Sequence, residues 1–181
     1  MMIERERLYP ESSLPHQSTV SMKIAICVRK RPIFQREEAQ GEIDAVSAAN
    51  PVIRVHECKH KVDGITKIIE NHDFVFDNTF GSGETSQDLY ESALKPNLQL
   101  PFVRGGVLTC FAYGQTGSGK TFTMKGCNES AINDLFRQAR KYQSTLHLSF
   151  FEIYSGKVFD LLPKDGGRAL LQLLEDGKQQ I

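Results

Sequence analysis

Eight consecutive residues carry the clearest chemical signal in the chain. Gly114-Gln115-Thr116-Gly117-Ser118-Gly119-Lys120-Thr121 fits the pattern G-x-x-x-x-G-K-[ST] in full. Its glycines permit backbone turns that a side chain would block, so that successive N–H groups can converge on phosphate oxygens. A helix opening at Lys120 adds the partial positive charge of its N-terminus. Lys120 would bridge the β- and γ-phosphates, and the Thr121 hydroxyl would ligate Mg²⁺, a hard cation that selects oxygen. The pattern implies a nucleoside triphosphate. By itself it does not choose among a motor, a nucleotide kinase, a GTPase and another kind of ATPase. The second half of such a site is an apolar strand ending in a carboxylate for the metal. The run from Leu146 to Glu152 offers one, with Glu152 in place of Asp; an ordinary strand with an exposed glutamate explains the same residues.

Several elements must position that loop. Val107 to Phe111 is an apolar β run entering it, and Lys120 onward opens a helix. Lys23 to Val28 reads as a buried strand, stopped by the basic run Arg29 to Pro32. Pro51 to Val55 and Asp73 to Phe76 are two further strands. The polar stretch Glu57 to Gly64 between them reads as a hairpin finger. Thr85 caps a helix running to Leu94, which Pro96 ends. A second helix covers Ala131 to Tyr142. Thr145 to Tyr154 reads as a strand, and Leu170 to Leu174 as a weaker one. Alternating strands and helices predict an α/β domain over residues 22–181. Met1 to Ser21 is polar and aperiodic, with two prolines, and reads as a disordered lead-in.

Composition narrows the partners. The 181 residues are 40% hydrophobic and 24% charged, with 22 Lys+Arg against 22 Asp+Glu and a formal net charge of +0. No whole-chain field draws such a protein to nucleic acid or an anionic membrane, and neither is expected as a partner. Mean hydropathy is −0.34, and the apolar run Val107 to Tyr113 is too short to span a bilayer. The charged N-terminus does not resemble a secretory signal. Cys27, Cys58, Cys110 and Cys127 form no C-x-x-C pair, which fits reduced thiols in a cytoplasmic setting better than a disulfide framework. His56 and His60 are four apart. That spacing suits a metal on one helix face, but the surrounding residues read as a strand.

A more specific signal surrounds the phosphate loop. The run from Phe111 to Met124 resembles the kinesin motor domain, and other segments agree in kinesin order. Arg29-Lys30-Arg31-Pro32 resembles the adenine-binding R-x-R-P; Phe74 to Asp77 with Phe80 resembles F-x-F-D-x-x-F. Phe150 to Tyr154, Lys157 to Leu162 and Leu174 to Gln180 resemble later segments. The resemblance covers residues 22–181. It implies a P-loop NTPase of kinesin type, with a mixed central sheet flanked by helices, using ATP and Mg²⁺ and partnered by tubulin in the microtubule cytoskeleton. Arg29, Arg31 and Pro32 would border the adenine. Phe122 would stack on its other side, or serve as a core aromatic; Gln115 would position the loop. Lys61-Val62-Asp63 in the predicted finger resembles the K-V-D of the microtubule-depolymerising kinesin-13 group, where the finger reaches tubulin and helps bend the protofilament.

Departures from the family shape further expectations. The family's switch segments, S-S-R-S-H and D-L-A-G-x-E, occur nowhere in these 181 residues. The resemblance assigns the Mg²⁺ aspartate to the later half of the family's motor domain, which removes Glu152 as a ligand. It also assigns the strands flanking Val107 to Phe111 to that later half. The chain is therefore expected to be an incomplete motor domain whose phosphate-loop strand has no neighbour. Either the full-length form moves on or depolymerises microtubules with ATP, or this chain is a non-hydrolysing nucleotide- or tubulin-binding fragment. Residues after Cys127 follow the loop with a shortened connection.

Overall fold

The computed structural model describes residues 13–20, 22–164 and 166–174. The chain divides into two compact units, residues 1–143 and 144–181. In the first, β1 (Cys27–Arg29) pairs in parallel with β5 (Asn78–Phe80), Val28 standing opposite Thr79. All three β5 residues are buried. Between them lie a short helix, α1 (Gln35–Ala39), and an antiparallel sheet of β2 (Val46–Ala49), β3 (Val52–His60) and β4 (Lys67–Val75).

The β3–β4 hairpin is longer than the sequence suggests. The polar residues 57–60, expected in the finger loop, continue the strand. Charge pairs hold them there. Lys59 lies 2.6 Å from Glu70 across the ladder and 3.0 Å from Glu57 on its own strand, and nearer the base of the hairpin Arg54 grips Asp73 across the ladder through two nitrogens, both at 2.6 Å. In an exposed ribbon such cross-strand pairs replace apolar alternation. His56 and His60 sit on this strand, where four residues span roughly 13 Å, too far to share a metal. His56 instead binds Asn71 Oδ1 through Nδ1 at 2.6 Å and Ser47 Oγ through Nε2 at 2.8 Å.

Residues 13–20 correct the expectation of a disordered lead-in. Thr19 is fully buried. Its hydroxyl donates to Ala93 O at 2.7 Å and accepts from Asn97 Nδ2 at 2.8 Å. The Asn78 side chain bonds the Gln17 backbone in both directions at 2.8 Å, and the His16 ring stacks on Phe80 at 4.3 Å between centroids. No hydrophobic period announces this strap, because side-chain amides of the domain do the holding. The rest of the lead-in, residues 1–12 and 21, lies outside the described residues.

Thr85 caps α2 (Ser86–Leu89) as expected: its Oγ1 accepts from Asp88 N–H, and its own N–H donates to the Asp88 carboxylate at 2.7 Å. The helical run continues in π form over Tyr90–Leu94 and in 3₁₀ form over Lys95–Asn97, where Pro96 falls. A short α3 (Leu100–Arg104) follows. The run Val107 to Phe111 forms no strand and has no ladder partner among the described residues; Val107 is 91% and Phe111 88% exposed. Beyond the phosphate loop, a single helix, α4 (Lys120–Lys141), replaces the two expected. Its middle contains no proline, and Arg140 and Lys141 complement the dipole at its end. The helix packs on α2 through Cys127, which is buried, and through Tyr90, whose hydroxyl donates to Asp134 Oδ2 at 2.7 Å. Burial and the Asp134 carboxylate push the Tyr90 phenol above its ordinary range, so it remains a donor.

The second unit is a meander of β6 (Phe151–Tyr154), β7 (Lys157–Asp160) and β8 (Ala169–Leu171). The strand expected from Thr145 begins only at Phe151, because the four residues of β7 are all that pair with it. Glu152 lies 2.7 Å from Arg168 in a surface ion pair. Val158 is buried, whereas Ile153, Tyr154 and Leu170 are exposed. The kinesin-like segment beyond Leu174 lies outside the described residues.

Candidate nucleotide site

The phosphate loop joins the unpaired run before it to the first turn of α4. Gly119 holds the helix N-cap in the left-handed region, φ 95°, and its carbonyl accepts the Thr123 N–H at 3.0 Å. Gly114 adopts a φ of 155°, which residues with a Cβ rarely take, and a Cβ there would also crowd Ser118 Oγ at 2.6 Å, so glycine suits the loop's closure. Within it, Ser118 N–H donates to Gln115 O at 3.1 Å. The Lys120 ammonium folds over the loop and donates to Gly114 O at 2.7 Å and Gln115 O at 3.0 Å. Residues 114–118 and Thr121 are exposed, so a ligand from solvent can reach their amides and the Thr121 hydroxyl.

The basic run after β1 comes to the same place. Arg31 Cβ lies 3.9 Å from where a Gly119 Cβ would be. Its guanidinium forks onto Glu37, at 2.7 Å and 2.5 Å, and lies over the Phe34 ring at 4.5 Å. That fork, with the Phe34 N–H at 2.8 Å, lowers the Glu37 carboxyl to about 2. Arg29 turns inward. Its guanidinium donates to Ser86 Oγ at 2.7 Å, Thr123 Oγ1 at 3.0 Å and Glu84 O at 3.0 Å. It also lies 5.4 Å from the centre of the Phe122 ring. Phe122 is 70% exposed, which removes its alternative reading as a core aromatic. Pro32 is exposed beside Arg31 and accepts one Arg31 N–H at 2.9 Å.

The structure therefore gathers Arg29, Arg31, Pro32, Phe122 and the loop at one place, and leaves Lys61, Val62 and Asp63 elsewhere. Those three sit at the tip of a hairpin with nine-residue arms, roughly 30 Å long. Sequence reasoning missed the groups that orient the arginines: Ser86, Thr123 and Glu37. It also missed Gly126. A Cβ there would lie 2.5 Å from Ser86 Cβ, so glycine sets how closely α4 approaches α2. A lone glycine inside a helix was the available signal.

A family model described as the kinesin motor domain matches residues 29–181. The kinesin-like protein KIF24 of Homo sapiens is 44% identical over 170 residues, which is 88% of this chain and 12% of that protein. Among solved structures, one described as the KIF14[391-772] dimer, two-heads-bound state, with AMP-PNP in complex with a microtubule, matches with a TM-score of 0.65 and 32% identity. That match covers 85% of this chain and 46% of the KIF14 chain.

Proposed function

The chain belongs to the kinesin motor-domain family, and on that premise we propose that it binds Mg·ATP at Gly114 to Thr121 and engages tubulin through its β3–β4 finger. The observation that carries the nucleotide reading is the position of Lys120. Its ammonium rests on two loop carbonyls, 2.7 Å and 3.0 Å away, above a turn that suits glycine at Gly114. An incoming phosphate offers that ammonium a charged acceptor in place of neutral ones, and such hydrogen bonds are the stronger. Thr121 would hold the metal through its hydroxyl, and Mg²⁺ bound there would supply charge neutralisation on the phosphate oxygens. Phe122 offers an exposed face for adenine, with Arg31 and Pro32 at the border. Arg29 acts from behind, by tying β1 to α2 and α4. The KIF14 neighbour, described with AMP-PNP and a microtubule, supports both ligands.

Within the family we assign the chain to the microtubule-depolymerising group, on Lys61-Val62-Asp63 at the finger tip. A full-length form would act on the microtubule cytoskeleton, with ATP turnover coupled to removal or movement along tubulin. A second reading is that these 181 residues hold nucleotide or tubulin without turnover. It is favoured by the largely exposed run 107–111, which has no ladder partner among the described residues to brace the loop. A fluorescent ATP analogue titrated with Mg²⁺ tests the site. Binding to the chain, reduced at least about tenfold by Lys120→Ala, is expected; equal affinity in the variant refutes the assignment of Lys120. ATP hydrolysis with and without tubulin then separates the two readings.

A further inference from the structure

The turn that closes the finger is more ordered than six exposed residues require. Lys61 N–H donates to Thr66 O at 2.8 Å, and Gly64 N–H to Lys61 O at 2.8 Å. The Asp63 carboxylate accepts three more bonds. Its Oδ1 takes Ile65 N–H at 2.9 Å and Thr66 N–H at 2.8 Å; its Oδ2 takes the Thr66 hydroxyl at 2.5 Å. The Thr66 hydroxyl first, then the two amides, hold this carboxyl below its ordinary value. Asp63 is thus turned back into its own loop. What the tip offers to solvent is Val62, 109% exposed, and Ile65, 84% exposed. Lys61 and Lys67 flank them and make no ion pair among the described residues, whereas Lys59, further down the arm, is held by Glu57 and Glu70.

We propose that Asp63 and Thr66 form a clasp that positions the finger tip rather than touching the partner. The clasp fixes the turn so that Val62 and Ile65 stand out as a two-residue apolar tip rimmed by Lys61 and Lys67. The tubulin surface that receives such a tip would offer an apolar cleft with acidic margins, complementary to Lys61 and Lys67. Ile65 is then a contact residue and Thr66 a positioning residue, neither of them part of the K-V-D triplet. This inference rests on the tubulin reading above. Its physical content is that apolar contacts need pre-set geometry, since ordering a loose turn on binding opposes affinity.

The test uses the 181-residue chain and purified tubulin dimers, with affinity read by fluorescence anisotropy. Thr66→Val keeps the shape of the side chain and removes its hydroxyl; Thr66→Ser keeps the hydroxyl. Asp63→Asn keeps an acceptor for the two amides and removes the charge, whereas Asp63→Ala removes both. The expected result is that Thr66→Val, Asp63→Ala and Ile65→Ala each weaken binding about fivefold, while Thr66→Ser and Asp63→Asn stay within about twofold of wild type. Amide exchange gives a second readout: in Thr66→Val the Ile65 and Thr66 amides exchange faster, and those of the hairpin arms do not. The clasp is overturned if Thr66→Val binds as wild type, or if Asp63→Asn is as weak as Asp63→Ala, which would mean that the charge itself meets the partner. If Lys61→Ala and Val62→Ala leave affinity unchanged, or the wild-type chain does not bind, the tubulin reading of the finger fails and the clasp proposal fails with it.

Discussion

Replacing Gly126 by alanine probes the joint on which the nucleotide site is built. The added methyl would stand 2.5 Å from Ser86 Cβ and 2.8 Å from Ser86 Oγ. Both atoms are at the start of α2, where little side-chain freedom can absorb the clash. Overpacking at such a contact costs about 3 kcal/mol. The better helix propensity of alanine offsets about 1 kcal/mol of that. The net loss of about 2 kcal/mol lowers the melting temperature by about 6 °C in a unit of this size. Relief by moving α2 away is costly, because Ser86 Oγ accepts from Arg29 at 2.7 Å and Arg29 also holds Thr123. Circular-dichroism melts of Gly126→Ala, Ser86→Gly and the double variant provide the assay. The double variant should be less destabilised than the sum of the two singles, since Ser86→Gly removes the atoms that the methyl strikes. A Gly126→Ala protein that melts higher than wild type would refute the close approach, as helix propensity alone would then decide the outcome.

Two further outcomes follow from the geometry. The Glu37 carboxyl is lowered to about 2 by its fork with Arg31 and the Phe34 N–H. A folded value below the unfolded one means stability that is present above about pH 4.5 and lost as pH falls through about 2. Glu37→Gln should therefore be less stable than wild type at neutral pH, with the gap closing between those limits in urea melts; a gap independent of pH contradicts the ion pair. The amides of Val107 to Phe111, without ladder partners among the described residues, should exchange within about tenfold of unfolded-chain rates. Strong protection there would mean that a strand forms after all.

Much of this molecule was legible because its signals are local. The phosphate loop is a contiguous pattern, and the glycines and lysine that define it are the residues that shape it here. Thr85 with Asp88 is a capping pair that needs only three residues to recognise. The α/β class and the finger also emerged from short runs. What escaped depends on distant partners. The strap at residues 13–20 has no period, since Asn78, Asn97 and Asn50, whose Nδ2 donates to Leu14 O and Pro15 O at 3.1 Å, hold it from far along the chain. The polar arms of the hairpin, residues 57–60, look like a loop until the register brings Lys59 to Glu70. Val107 to Phe111 has every property of a strand except a neighbour, and local propensity cannot supply one. The role of Arg29 divides between the two cases: its motif named the region, but only the fold shows it tied inward to Ser86, Thr123 and Glu84. The same holds for Asp63, which the K-V-D resemblance directs outward and the turn directs inward.

On the proposed reading, the backbone of residues 114–121 binds a triphosphate beneath Lys120. Hydrogen exchange of those amides, with and without saturating Mg·ATP, addresses it most directly. The amides from Gln115 to Thr121 should slow on adding nucleotide, those of the finger residues 61–66 should not, and Lys120→Ala should abolish the difference. Nucleotide that leaves the loop amides unchanged, or slows those of another region instead, contradicts it.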